Sequence, residues 1–487
     1  MTTKKFGGEI LILLALALGV LGDLLFRHAG WGINVTVWML AAFGAALLLR
    51  RRQPSPPLSS WIWVAFALSF LAIFREAFTL RLITIIAMLG AVSYATLATD
   101  RAEQLKQTVF TYLGRMLDTL VSSIRVFSHH LPSLTPEVTS NKLIANPMTL
   151  PVLRGSALAS VALLLFGSLL VSADALFERL VVDTFDFNIE KIFSHIGMLL
   201  IWSWVGCTLL FVLSTGPHPF FSKTRSEPRT GGFAIEVNIV LATINALFIA
   251  FVSVQVGYLF GGHERVLEEA GLTYAQYARR GFFEIAAVSV LAFAMVLICD
   301  GLIPTAISNG RRAFNGLTAL HIGLAGVLIM SAFHRLMVYI DAYGLTELRF
   351  YVATCIIWIA IAFLMLGAAI LTARRAILPR LIVSTLFAAV FALHVINPAA
   401  IVVQTNLSRT NVQEQFDVEY ALTMSADAVP ALVKGLAKLP DEKRIEIETE
   451  MLNRWDLHYE PQYRDWNYSR WMAVQTVRQL VGSTTSD

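Results

Sequence analysis

His334-Arg335-Leu-Met-Val-Tyr339-Ile-Asp341-Ala-Tyr343-Gly344-Leu-Thr346-Glu347-Leu-Arg349-Phe-Tyr351 sets charge and aromatic hydroxyls where one apolar stretch ends and the next begins. Two long apolar runs joined at a glycine read as consecutive membrane helices, and ionisable groups at such a place are costly enough to mark a functional candidate.

The rest of the chain has the same character. Of its 487 residues 56% are apolar and 15% charged, and the mean hydropathy is +0.64, which places it outside the soluble class. The net charge is +4, with basic residues in short clusters between apolar runs and no broad basic face, so nucleic acid is not an expected partner. Cys207, Cys299 and Cys355 lie in or at the ends of apolar segments without metal-ligand spacing. No metal, cofactor or disulfide is expected. No phosphate loop, His-Glu-x-x-His pair or Gly-x-Ser-x-Gly nucleophile turn occurs, and three Asn-x-Ser/Thr matches, at Asn34, Asn406 and Asn467, are short enough to arise by chance.

The expected fold is all-α: a polytopic membrane domain over 1–397 and a small soluble helical domain over 398–487. About eleven spans are expected, near 10–27, 31–49, 58–74, 77–98, 155–173, 192–214, 234–260, 281–302, 317–340, 350–373 and 379–397. The first follows Lys4-Lys5 and lacks a small-x-small cleavage site, so it reads as an uncleaved span. The third is the weakest, and with the fourth, which carries Arg81, it could form a re-entrant hairpin. A cytoplasmic amino terminus puts nineteen Lys/Arg on the inner side and eight on the outer, and an odd span count then puts residues 398–487 outside. That tail carries nine Lys/Arg and thirteen Asp/Glu, and helices are expected to open near Ser425, at Asp441 and after Asp465-Trp-Asn-Tyr-Ser-Arg470. It is read as docked on the membrane face, with an interaction module as the alternative.

Two further segments lie on the cytoplasmic side. Residues 103–131 place Leu105, Val109, Leu113, Met116, Leu117, Leu120 and Ile124 on one stripe bordered by Lys106, Arg115 and Arg125, as in a helix lying in the membrane interface. Thr215 to Gly232, with three prolines and three basic residues, suits a connecting loop.

Two constellations are candidates for chemistry. Capping-box spacing starts a helix near Thr273, which aligns Tyr277, Arg280 and Glu284 along one face; they form either an anion-gripping face or an interfacial belt. In the opening segment His334 and Asp341 share a helix face, as do Arg335 and Tyr339. A His-Asp pair can relay a proton or orient a polar substrate, whereas an Asp341–Arg349 pair across Gly344 would only fix the angle between spans. With Tyr343 these residues make one candidate polar site at the outer face, suited to an anionic small molecule or a lipid headgroup. His195, His321 and His394 read as packing residues, and Asp300 is expected to be neutralised by Arg311 or Arg312.

The stretches Thr273-Tyr-Ala-Gln-Tyr277-Ala-Arg-Arg280-Gly-Phe-Phe-Glu284, Tyr339-Ile-Asp341-Ala-Tyr343-Gly-Leu-Thr346, Asn397-Pro398 and Asp427-Ala-Val-Pro430 resemble a bacterial polytopic membrane family catalogued as domain of unknown function 4173. The resemblance covers the second half of the chain. It implies a bacterial inner-membrane location and no assigned activity. The leading functional reading is a non-enzymatic permease-like carrier or accessory subunit. A membrane-embedded transferase or hydrolase, with Asp341 or Glu284 as base, is one alternative; a signalling or assembly partner working through residues 398–487 is the other.

Overall fold

A computed structural model describes residues 2–52, 61–96, 189–215, 234–260, 282–303, 308–372, 374, 377–409, 416–455 and 463–484. The expected interfacial helix at 103–131, the span at 155–173, most of the 215–232 linker and the helix start at Thr273 lie outside these residues. The described residues are all-α, with fifteen helices and no strand. They are α1 (Thr2–Phe26), α2 (Ile33–Arg52), α3 (Ile62–Leu71), α4 (Phe78–Thr96), α5 (Ile189–Thr215), α6 (Ala234–Phe260), α7 (Phe282–Leu302), α8 (Ser308–Tyr343), α9 (Glu347–Leu371), α10 (Leu378–Ile396), α11 (Pro398–Leu407), α12 (Val418–Thr423), α13 (Val429–Gly435), α14 (Asp441–Arg454) and α15 (Tyr468–Thr484).

Seven of these are long and apolar enough to cross a membrane: α2, α4, α5, α6, α8, α9 and α10. The chain is thus a multi-pass membrane protein. Shorter apolar helices occupy Ile10–Phe26, Ile62–Leu71 and Ala287–Asp300. The ten residues of α3 rise only about 15 Å, half the hydrocarbon thickness, so this helix cannot cross as an ordinary span. At the other extreme, α8 has 36 residues. At about 1.5 Å per residue it rises about 54 Å, well over the hydrocarbon thickness, so part of it stands outside that layer.

The helices form two apolar groups with α10 between them. The first joins Leu11, Ala15 and Leu18 of α1 to Trp38, Ala42 and Ala46 of α2, to α3 and α4, and to Leu210 and Leu213 of α5. Close approach of α1 and α5 depends on small residues: a Cβ at Gly19 or Gly22 would strike Ser203 or Trp202 of α5. In the second group α6, α7, α8 and α9 pack around Leu241, Val296, Phe314, Leu328 and Phe363. Phe387 and Val390 of α10 belong to the first group, Leu378 and Ile382 to the second.

Helices α11 to α15 make a separate small core of Val402, Val403, Leu432, Ile447, Ala473 and Val477. Leu345, in the turn between α8 and α9, contributes to it, so this cap and the bundle are packed together. The passage from α10 into the cap is a hinge of two residues. Asn397 has φ 55°, a left-handed conformation that asparagine tolerates, and Pro398 opens α11 with its φ already helical. The Asn397 side chain accepts from Ala400 N at 3.2 Å and donates to Asp427 O at 3.0 Å.

Candidate functional site

The most concentrated polar chemistry in the described residues is the seam between cap and bundle. The α3–α4 turn places Arg75, Glu76 and Ala77 just ahead of α4, where free turn N–H groups and the positive end of the helix dipole favour an anion. Asp427 of the cap supplies it: its Oδ2 accepts from Glu76 N at 2.7 Å and Ala77 N at 2.8 Å. Its Oδ1 accepts from the Ser469 hydroxyl and lies 3.5 Å from Arg75 Nη1. Arg75 also donates through Nε to His394 O at 2.7 Å, so one guanidinium ties α4, α10 and the cap.

A second arm runs from Asp465 to Arg470. Asp465 Oδ2 accepts from Gly30 N at 3.0 Å and pairs with Arg470 Nη1 at 2.9 Å; Arg470 Nη2 donates to Trp31 O at 3.0 Å. Glu76 Oε1 lies 3.5 Å from Arg470 Nε and 3.7 Å from Arg81 Nη2. Three carboxylates and three guanidiniums therefore share one largely buried network, which compensates the cost of removing each charge from water. Backbone bonds seal the same contact, from Ile33 N to Trp466 O at 3.0 Å and from Tyr468 N to Ile73 O at 2.8 Å.

All three Asn-x-Ser/Thr asparagines serve this end of the molecule. Asn34, in the first turn of α2, accepts from Gly32 N and donates to the carbonyls of Leu25 and Gly30; Asn467 donates to Ala72 O and Arg75 O, both at 3.2 Å. Asn406 takes the Leu345 peptide in both directions, each bond 2.8 Å long.

The opening segment of the sequence forms the α8–α9 corner beside the seam. Gly344 turns the chain at φ 82°, and Thr346 occupies the N-cap of α9. Arg349 does not pair with Asp341. Its guanidinium lies 4.2 Å from the Tyr339 ring centroid and donates to the carbonyls of Tyr343 and Gly344. Arg409 of the cap donates to Ile340 O at 2.8 Å and to Asp341 O. Two arginines thus satisfy carbonyls at the end of α8, where the helix dipole is negative. The Asp341 side chain is exposed, as are Tyr343 and His334. Glu347 N donates to the Tyr420 hydroxyl at 2.8 Å. Burial pushes the Tyr420 phenol above its usual range, which keeps it neutral.

Of the sequence candidates, Tyr339, Tyr343 and Arg349 come together, Asp341 enters through its backbone only, and His334 and Arg335 lie one to two turns further down α8. Tyr277 and Arg280 lie outside the described residues; Glu284 falls in α7, with its side chain outside them. Sequence reasoning missed the seam residues Arg75, Glu76, Asp427, Asp465 and Arg470. It also missed Glu347 and Tyr351 as a pair: Glu347 Oε1 and the Tyr351 hydroxyl are buried, make no hydrogen bond among the described residues, and lie within electrostatic reach of each other, Asp427 and Tyr420. The expected Asp300 partner is Arg311, at 2.5 Å. Among the described residues no group of three His, Cys, Asp or Glu could hold a metal ion.

A family match covers residues 62–435, more than three quarters of the chain. The chain belongs to the family described as Domain of unknown function (DUF4153). This corrects the resemblance to family 4173. Of the stretches that carried it, Tyr339–Thr346 and Asn397-Pro398 are polar turns at the ends of apolar helices, a feature of polytopic membrane proteins generally, so they mark a class more sharply than a family. The DUF4153 match also starts at α3, well before the second half of the chain, and ends in α13. No curated protein and no solved structure matches the chain.

Proposed function

We propose that this DUF4153 chain is a non-enzymatic accessory subunit of the bacterial inner membrane, with a cytoplasmic amino terminus and its cap on the outer side. The charge bias of the connecting segments supports the orientation. One observation carries the functional reading: the charged side chains at the cap end mostly bind one another and the backbone, fixing the cap on the bundle as a rigid platform. Such a platform presents a surface to a partner. Tyr277, Arg280, Glu284, His334, Arg335, Tyr339, Asp341, Tyr343 and Arg349 form its proposed polar rim, suited to an anionic small molecule or headgroup.

Cross-linking with mass spectrometry on intact bacterial membranes tests this. The native chain should cross-link one protein reproducibly through residues 398–487. Asp427→Ala should abolish that cross-link, and an Arg335→Ala/Asp341→Ala double variant should retain it. A native cap with no protein cross-link overturns the reading.

A carrier is the second reading, supported by a crevice of about 700 Å³ between α6 and α7. Its walls, including Val240, Ile244, Phe248, Leu291, Met295 and Ile298, are apolar and suit an apolar cargo. Mass spectrometry of the purified protein should then find an apolar compound that Leu291→Trp displaces.

A further inference from the structure

The polar seam has an aromatic edge. Phe70, at the end of α3, lies 5.3 Å from Phe74 between ring centroids; Phe74 lies 6.0 Å from Tyr468, and Tyr468 lies 6.0 Å from Trp471 of the cap. The ladder is continuous from a bundle helix onto α15, and it is uncovered: Phe70 is 52% exposed, Tyr468 38% and Trp471 39%. Phe78, which opens α4 one turn after Phe74, is 80% exposed.

A row of exposed aromatics is unfavourable in water. The order of residue types identifies the medium that receives it. Phe70 and Phe74, wholly apolar, lie on the bundle side; Tyr468 and Trp471, each with an apolar body and one polar atom, lie on the cap side. That gradient matches the passage from hydrocarbon to headgroups, where Trp and Tyr concentrate at the boundary. The turn fits as well, because Phe70 to Phe74 is where α3 ends and the chain turns back into α4 beside the cap. We infer that the Phe70–Phe74–Tyr468–Trp471 edge is inserted in the interfacial layer of the bilayer on the cap side, so that the cap is a lipid-contacting module as well as a docked one. The inference rests on the membrane location of the bundle and is independent of the accessory-subunit reading.

Nitroxide accessibility tests it on the full-length chain in nanodiscs of phosphatidylethanolamine and phosphatidylglycerol. Cys355 is exposed and is replaced by Ser; Cys207 and Cys299 are buried. Labels go at Trp471→Cys, at Tyr468→Cys as an independent second site should the first variant not fold, and at Glu446→Cys on the exposed face of α14 as an aqueous reference. The expected result is a several-fold higher ratio of oxygen to nickel-chelate accessibility at 471 or 468 than at 446. Ratios equal to that at 446 would place the edge in water and overturn the inference. Low accessibility to both reagents would overturn it too, by showing a protein surface over the edge.

Discussion

Two polar regions meet under the cap, and they are built on opposite plans. The α8–α9 corner draws its polar groups from nearer in the chain: Arg349 reaches back five and six residues to the carbonyls of Gly344 and Tyr343, and Asn406, Arg409 and Tyr420 of the cap reach it across 61, 69 and 73 residues. The seam draws its groups from far apart: Asp427 bonds amides 350 and 351 residues away, and Asp465 bonds one 435 residues away. Local contacts fix the direction of a helix end, whereas contacts between distant segments hold two packed units together. The corner is conspicuous in sequence because its charges are crowded, yet its charges mainly finish a helix. The seam is inconspicuous, and it carries the linkage between cap and bundle.

The sharpest way to break this contrast is Asp427→Ala. It leaves the Glu76 and Ala77 amides without their acceptor, leaves the Ser469 hydroxyl only the Phe74 carbonyl, and removes a buried charge facing Arg75. A loss of about 3 to 4 kcal/mol is expected. A thiol-reactive dye in detergent micelles can follow unfolding through the buried Cys207 and Cys299, and limited proteolysis should release the cap before the bundle unfolds. An unchanged midpoint would show that the cap is held by its apolar contacts and not by the seam.

The same contrast explains what could be read in advance. Apolar runs of membrane length are a one-dimensional signal, so α2, α4, α5, α6, α8, α9 and α10 fall where the sequence places spans. The Gly344 turn, the Thr346 cap and the Asn397-Pro398 hinge are legible because each depends on residues within a few positions of itself. Arg75, Asp427 and Asp465 give no such signal. Each is an ordinary charge beside a turn until the fold brings the three segments together. One local hint exists in Asp465-Trp-Asn-Tyr-Ser-Arg470, where all six side chains can hydrogen-bond around the start of a helix and four of the six residues are buried. The Asp341–Arg349 expectation failed for a related reason: the Tyr339 ring and two free carbonyls lie closer to the guanidinium, and an exposed carboxylate has water as its partner.

Glycine substitutions grade the two regions. A Cβ at Gly32 would overlap the backbone carbonyl oxygens of Trp466 and Asp465, which no rotamer change can relieve, so Gly32→Ala should cost about 2 to 3 kcal/mol and loosen the cap. At the corner, Gly344→Ala meets the strain of its positive φ, about 1 to 2 kcal/mol, and a close approach of 3.1 Å to Asn406 Oδ1, a side chain that can shift, so proteolytic protection of the cap should be retained. Gly44→Ala, with nothing within 4 Å of the new methyl, is the reference for both. If Gly344→Ala released the cap as readily as Gly32→Ala, the corner would have to be counted as part of the latch.

The smallest effect lies where the two regions touch. Tyr351 belongs to α9, packs on Ala77, Leu80 and Leu393, and points a buried hydroxyl toward the Glu347 and Asp427 charges without a hydrogen bond. Removing a polar atom that has no partner recovers its desolvation cost, so Tyr351→Phe should leave stability within about 0.5 kcal/mol of the native chain or raise it. A loss above about 1 kcal/mol in the same unfolding assay would mean that the hydroxyl holds a water or a small polar ligand between corner and seam. Glu347→Gln, which keeps the shape and removes the charge, separates those two outcomes. A bound cation would be lost with the charge and lower the midpoint further. A bridging water would be kept by the amide, leaving the midpoint close to that of the native chain.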